Sequence, residues 1–557
     1  MTDRFNTSGL VISQEYYDEV CLENRDDFDL SEEEAVQETI QQLESDGKKL
    51  PSHLILTFPT SSQGIHERRV NQILKSGISR IQSFADHDKR ASHTTSRNEE
   101  EALSTTLQTL LESLREDETR RVPRFVVYGG FEACLRLWES SVTTLMEGYG
   151  DEKVFDLLLL TFQVEQAIRM KGDEIAIRLE DLQKKFYRMW PTWLTSLESS
   201  VIPREVELWN LQRLNQILRL AGFAVKHSEP NKKVFMAAKS STSAKSGPLI
   251  LLEILDTLSM TDKDSADHHR LVGGPLCRVV ATVCTFDDFR LTEGAPTVSS
   301  AHANVQSFHQ ENGVVRLARY LQEKKEISAI LALRAMAIHD EIVQTMVAVG
   351  VLDTSTSLFQ RLLSVDPNED DQETTLEAMT AVAGLFRNVC ANDEIKSKLC
   401  VGDKSIVRHM TCAMEAYPDA AKLQEHACAT FGAMALRSPK NAEYLIKQND
   451  VVTWIVRAMR KHPNRTTVQR QGALAIRNLV SRSTDMRANV LQAGAAEALK
   501  EIAAKHASCQ DEVYAALRDL GLPASMLRVE QDATGQVVVK QTEMFGDCNS
   551  NFRPVFD

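Results

Sequence analysis

An all-α solenoid of stacked repeats is predicted by three features of this 557-residue sequence: a helical phrase that returns, a turn residue after each copy, and the interval between copies. The phrase is Leu333-Arg334-Ala335-Met336, Phe386-Arg387-Asn388-Val389, Ile476-Arg477-Asn478-Leu479 and Leu517-Arg518-Asp519-Leu520. Its arginines stand 53, 90 and 41 residues apart, and the copy skipped by the double step is Gly432-Ala433-Met434-Ala435, without arginine. Turns follow at Val349-Gly350-Val351, Val401-Gly402-Asp403, Gln448-Asn449-Asp450 and Ala493-Gly494-Ala495. Gly and Asn accept the left-handed backbone that ends a helix. Helices and turns at this period predict an armadillo or HEAT type solenoid, and the fold expected is an armadillo-type right-handed superhelical one, with an atypical helical N-terminal cap and a mostly irregular C-terminal tail.

Five intervals are expected. Residues 1–57 hold two helices: one from Glu15 to Asn24, and one opened by Ser31 with Glu34 three residues on, the spacing of a capping box. Ala35, Val36, Ile40 and Leu43 stripe the second helix, a face suited to docking on the solenoid's end or on another protein. Residues 58–98 read as a linker with one isolated helix from Val70 to Phe84. From 99 to 339 degenerate repeats are expected, with helical segments at 99–115, 124–140, 151–170, 173–189, 203–221, 247–260, 268–285 and 311–338. Ser- and Gly-containing stretches at 238–247 and 291–301 read as loops. From 340 to 523 the repeats become regular triplets: 340–349, 352–364 and 373–390; 393–401, 404–416 and 420–437; 440–448, 451–461 and 466–481; 486–493, 495–506 and 510–520. The first long interval is explained by the insertion Asp366-Pro367-Asn368-Glu369-Asp370-Asp371, a solvated acidic loop or a docking point for a basic segment. The tail, 524–557, has one strand-like piece, Gln536 to Gln541.

A net charge of −14 speaks against a nucleic-acid surface, which needs clustered Lys and Arg. The ten cysteines fall singly, with no C-x-x-C, as small apolar residues in a reducing compartment. No stretch approaches the ~20 apolar residues of a membrane span, and Met1 to Leu10 lacks a leader's apolar core. The expectation is a cytoplasmic protein, the nucleus remaining open, and a monomer on its own.

Phe386-Arg387-Asn388-Val389, Gln469-Arg470-Gln471 leading to Ile476-Arg477-Asn478-Leu479-Val480, and Ala516-Leu517-Arg518-Asp519-Leu520-Gly521 resemble the C-terminal repeats of the armadillo repeat-containing protein 6 family. Ile12-Ser13-Gln14-Glu15, Glu32-Glu33-Glu34-Ala35-Val36 and Leu43-Glu44-Ser45-Asp46-Gly47 resemble its N-terminal region, and Thr285-Phe286-Asp287-Asp288-Phe289-Arg290 a middle segment. The resemblance implies the armadillo fold and protein binding, with no established reaction.

Six residues are candidates for contacting a partner: Arg334, Arg387, Asn388, Arg477, Asn478 and Arg518. On the third helix of each repeat, Asn388 and Asn478 either hydrogen-bond an extended peptide's backbone or satisfy neighbouring helix ends. The arginines either fork onto carboxylates of an acidic peptide or pack between repeats, salt-bridged to Asp393, Glu512 or similar neighbours. Nuclear-import carriers of the importin alpha type place a Trp four residues before each Asn; here those positions are Gly384 and Leu474, so a carrier for basic signals is the weaker alternative. His268, His269, His302 and His309 near Asp287 and Asp288 match no metal-ligand spacing. Phosphate loops, G-x-S-x-G and H-E-x-x-H are absent from the sequence. The function expected is a non-enzymatic scaffold that binds a peptide or partner helix in its groove without cofactor or metal; the alternative is a permanent subunit of a larger assembly.

Overall fold

The computed structural model describes residues 12, 14–28, 30–45, 55–88, 97–144, 156–158, 160–161, 190–199, 208–260, 268–287, 291–292, 295–296, 298–364, 372–402, 405–522, 524–531 and 537–544. The chain divides into two units, Met1–Lys185 and Phe186–Asp557.

In the first unit α1 (Gln14–Phe28) packs on α2 (Glu32–Ser45). Ser31 closes the expected capping box: its amide donates to Glu34 Oε2 at 3.0 Å, and the Glu34 amide donates to Ser31 Oγ at 3.3 Å. Ala35 and Leu43, with Val36 and Ile40 beside them, join Ile12, Tyr17, Cys21 and Phe58 in one apolar cluster. The stripe is therefore covered by its own chain. Gln14 fixes the following segment in both directions, accepting from the Ile55 amide at 2.7 Å and donating to its carbonyl at 3.2 Å.

The interval expected as a linker carries α3 (Ser62–Asp88), which packs on α4 (Arg97–Glu116) and α6 (Gly130–Thr144) rather than standing isolated. Val70, Leu74, Ile78 and Ile81 are buried at helical spacing, which is why the segment is not a linker. A Cβ at Gly77 would lie 2.8 Å from Leu110 Cδ2, so glycine sets how closely α3 and α4 approach. Between them in sequence and α6 lies α5 (Glu118–Val127). Its Arg121 and Arg124 are buried and converge on Glu67 of α3, at 2.9 and 2.7 Å. Burial pushes the Glu67 carboxyl up, and the two guanidiniums more than reverse this, holding it below the usual range. The segments expected at 151–170 and 173–189 lie outside the described residues, apart from 156–158 and 160–161.

The second unit is a run of helical repeats. It opens with α7 (Trp190–Ser199) and α8 (Leu208–Val225). The region expected as degenerate contains two complete triplets: α9 (Glu229–Ala237), α10 (Gly247–Met260) and α11 (Gly274–Val283), then α12 (Ala301–Gln310), α13 (Gly313–Lys324) and α14 (Ile327–Met336). The single segment expected at 311–338 is two helices, because Lys325 takes a left-handed φ of 59° and Glu326 caps α14 through the Ser328 amide. The regular repeats follow: α15 (Asp340–Ala348), α16 (Val351–Leu363) and α17 (Gln372–Val389); α18 (Asp393–Cys400), α19 (Val407–Ala416) and α20 (Ala421–Ala435); α21 (Pro439–Lys447), α22 (Val451–Lys461) and α23 (Thr466–Val480); α24 (Arg487–Gln492), α25 (Ala495–Lys505) and α26 (Gln510–Asp519). The insertion at 366–371 falls outside the described residues.

The third helices α8, α11, α14, α17, α20, α23 and α26 pack each on the next, forming one continuous inner row. Left-handed turns separate the first and second helices at Gly350, Gly402 and Gly494, as expected; in the third regular repeat the residue is Asp450 (φ 47°), not Asn449, and Asn312 supplies a further such turn. Gln469 donates to the carbonyls of Met459 and His462, both at 2.7 Å, and Gln424 does the same to Met414 and Tyr417, at 2.9 and 3.0 Å. These amides satisfy the open carbonyl end of each second helix. His462 and His506 each bond a proline carbonyl one repeat back, Pro418 and Pro463, at 2.9 and 2.7 Å.

Two expectations for connecting segments change. Residues 240–245 form a hydroxyl cage: Ser240, Ser243 and Thr242 donate to Glu198 Oε2 at 2.7, 2.8 and 3.2 Å. In the tail the described residues are strand: β3 (Ala524–Gln531) pairs antiparallel with β4 (Val537–Met544), Val529 opposite Val539, and the strand-like piece expected at Gln536 to Gln541 falls on β4 from Val537 onward. A second, two-residue ladder joins β1 (Leu291–Thr292) to β2 (Ala295–Pro296).

Glu67→Gln leaves two buried guanidiniums short of their shared carboxylate. It is expected to destabilise the first unit by about 3 kcal/mol, read as a lowered urea midpoint.

Candidate partner-binding groove

Four consecutive inner helices, α8, α11, α14 and α17, bound a groove pocket of ≈ 980 Å³. Helical spacing aims its lining: Arg219, Gly222, Phe223 and Lys226 from α8 and just beyond it, Pro275, Arg278 and Thr282 from α11, Leu331, Arg334 and Ala335 from α14, and Asn388 from α17. One wall is the segment after α11, which a buried ion network holds in place. Lys232 donates to the Thr285 carbonyl at 2.6 Å and to Asp287 Oδ1 at 2.5 Å, and also bonds Glu229 at 3.1 Å. Glu229 in turn accepts from the amide and hydroxyl of Ser300, at 2.6 and 2.5 Å. The Thr285-Phe286-Asp287 segment noted in the sequence thus belongs to the groove's rim.

The six candidates sit on the inner row, but not as an open ladder. Asn388 donates to the Arg334 carbonyl at 2.9 Å, and Asn478 donates to the Gly432 carbonyl at 3.0 Å. Each asparagine ties its helix to the end of the preceding inner helix. Arg387 reaches Glu425 of the next inner helix at 3.3 Å, and Arg477 reaches Asp519 of the next at 3.6 Å. Arg518 is held by its neighbour Asp519 at 2.7 Å. The carboxylates proposed from sequence are not the partners: Asp393 pairs with Lys396 and Arg437, and Glu512 with Arg470.

Arg334 differs from the other three. It is half-buried, and among the described residues no carboxylate comes within ion-pair reach of it. Its side chain lies across Gly384 of α17, where a Cβ would meet the guanidinium at 2.9 Å. The position that carries Trp in import carriers is therefore filled here by an arginine from the previous repeat. Burial first, then the charge of Arg387, holds the Arg334 guanidinium below the usual arginine range, with Glu425 opposing. Arginine is missing at Gly432 for a steric reason: a Cβ there would lie 3.2 Å from the Ala475 Cα, so α20 and α23 meet through the glycine.

Beside this cluster His426 of α20 is fully buried with neither ring nitrogen hydrogen-bonded. Burial, then the charges of Arg334, Lys422 and Arg387, pushes it down to about 3, so it stays neutral. Glu425, next to it, is shared by Arg387 and by Lys422, the latter at 3.0 Å. Sequence reading missed Arg219, Lys226, Arg270 and Arg278 as groove residues, because their repeats lack the refrain. The available signal was Arg219 and Arg278 recurring 59 residues apart, five or six residues before the ends of their helices.

The histidines noted in the sequence disperse. His269 meets the Tyr320 hydroxyl at 3.0 Å, His302 meets His339 edge to face with ring centroids 4.2 Å apart, and His309 lies 3.9 Å from Glu341; Asp288 is outside the described residues. Among the described residues no three His, Cys, Asp or Glu side chains gather as a metal site. No single described helix is long and apolar enough to cross a membrane. The described cysteines are free thiols, all buried except Cys412.

Triplets stacked through a continuous row of third helices define an armadillo-type α-solenoid. The resemblance noted in the sequence is met again on comparison with known proteins. Residues 10–71 match the family model described as the armadillo repeat-containing protein 6 N-terminal domain. The chain is similar to Armadillo repeat-containing protein 6 of Pongo abelii, 25% identical over 441 residues, which cover 77% of this chain and 75% of that protein. Among solved structures, an engineered protein is 16% identical and aligns over 80% of this chain and 98% of its own, with a TM-score of 0.46. A designed armadillo repeat protein in complex with the peptide (KR)4 is 16% identical over 49% of this chain and 100% of its own, with a TM-score of 0.35.

Because the folded state keeps His426 neutral while the unfolded chain takes up a proton near the ordinary pKa, stability falls as pH drops from about 6.5 towards 3 and is flat above that window. His426→Leu is expected to remove this share of the slope, up to about 1.4 kcal/mol per pH unit. Urea midpoints of both proteins at pH 7 and pH 5 measure it.

Proposed function

We propose that this chain is a non-enzymatic interaction scaffold whose inner groove seats an extended segment of a partner protein. One observation carries the reading: the pocket spans four inner helices and is bordered by Asn388 and Arg334, so backbone-binding and charged groups face one channel. A peptide laid along it would contact several repeats at once, gaining area without chemistry at any one point. Asn388 spends one amide hydrogen on the Arg334 carbonyl and keeps its other hydrogen and its oxygen for a ligand backbone. The cytoplasm, with its reducing conditions, suits a chain that buries its thiols as small apolar residues.

A permanent subunit is the competing reading, and the two differ in exchange. The scaffold should purify as a monomer, and a groove variant should lose its partners while keeping its fold. Proximity labelling with Arg334→Met/Asn388→Ala is expected to deplete a set of partners by about tenfold or more, with Lys398→Gln, on α18, changing nothing. An unchanged partner set in a folded double variant would remove the groove from the function. Co-purification in fixed ratio through both variants would favour the subunit.

A further inference from the structure

The charge of the groove runs against that of the chain. Arg278 and Arg334 line the pocket together with Arg219, Lys226 and Arg270, which have interactions of their own, in a protein whose net charge is −14. Among the described residues the one carboxylate in the lining, Asp287, is already engaged by Lys232 at 2.5 Å and by the His227 amide at 3.0 Å. Arg278 reaches Glu377 at 3.6 Å, but both are well exposed, so that pair is screened by water and weak.

At the end towards α17 the imbalance sharpens. Arg387 and Lys422 share Glu425, and Arg334 stands beside them with no carboxylate of its own among the described residues. A half-buried guanidinium flanked by another cation is costly in the empty groove and is relieved by an arriving carboxylate, which it can grip in a planar fork. Phe223, Leu331 and the methyl of Ala335 provide apolar contact between the charges.

We propose that the groove between Arg219 and Arg334 receives a glutamate- or aspartate-bearing stretch of extended polypeptide, one carboxylate seated on the Arg334 guanidinium. The inference rests on the groove reading above and adds the chemistry of its occupant. A peptide fits better than a nucleic acid because a few carboxylates suffice for a pocket of this size. A longer polyanion would continue onto a chain that is acidic overall and would be repelled there.

The test is fluorescence anisotropy on the full chain with labelled (ES)4, the uncharged (QS)4 and the basic (KR)4 peptides, alongside a single-stranded oligonucleotide. (ES)4 is expected to bind about tenfold or more tightly than (QS)4, with added salt weakening it. Arg334→Gln should cost (ES)4 about tenfold and leave (QS)4 unchanged. Arg278→Gln, at an exposed position on α11, should cost a similar factor, and Lys398→Gln nothing. Equal binding of (ES)4 and (QS)4, both weakened by Arg334→Gln, would overturn the acidic occupant and leave the groove reading standing. Binding of (ES)4 that neither groove variant affects would overturn both. Preference for (KR)4 or for the oligonucleotide, or no binding of (ES)4 at millimolar peptide, would overturn the acidic occupant alone.

Discussion

Side-by-side packing of the third helices is the constraint on which the second unit depends. Each inner helix buries its apolar face on the inner helices before and after it and on the second helix of its own repeat, as Gly472 does against Met459. The spacing between neighbours is set by small residues at the contact, such as Gly432 against Ala475, and the axial register by side-chain amides that cross from one repeat to the next. Each such bond adds a second donor to a carbonyl near a helix end, Arg334 and Gly432 already accepting from the amides of Ala337 and Leu436. Stability and groove geometry therefore share the same atoms: the amide of Asn388 that fixes α17 against α14 also stands in the wall of the pocket.

The four C-terminal repeats could be read from sequence because each carries two independent marks, an apolar stripe on the third helix and a residue fit for a left-handed turn. Where one mark is missing the reading blurs. Lys325 adopts the left-handed backbone without being the glycine or asparagine that would announce it, so α13 and α14 read as one segment. Asp450 does the same beside an asparagine that looked the better candidate. Of the hairpin only β4 was legible, as the strand-like piece from Gln536; β3 escaped because it mixes Arg528 and Glu530 among its apolar residues, and Gly535 was the mark available.

For the site, residue type and placement on the inner row were legible, but pairing was not. Spacing put Arg387 and Arg477 on matching helices, yet which carboxylate each meets depends on the neighbouring repeat's register, and Glu425 and Asp519 win over Asp393 and Glu512. The refrain also gave four arginines equal standing. Packing separates them: three are neutralised within the row, while Arg334 is left across a glycine, facing a pocket. A repeated motif thus marks where a function can sit, and the departures between its copies mark where it does sit.

The β3–β4 hairpin lies against α26, the last helix of the inner row. An open-ended solenoid presents a face built to accept one more helix, and a second molecule's first repeat is a ready candidate. A strand pair at that place offers backbone edges and a flat ribbon instead, a shape that no helix of the row can stack upon as α26 stacks on α23. The inner row thus passes from helix to strand at this place, where the next neighbour is a ribbon and not another repeat.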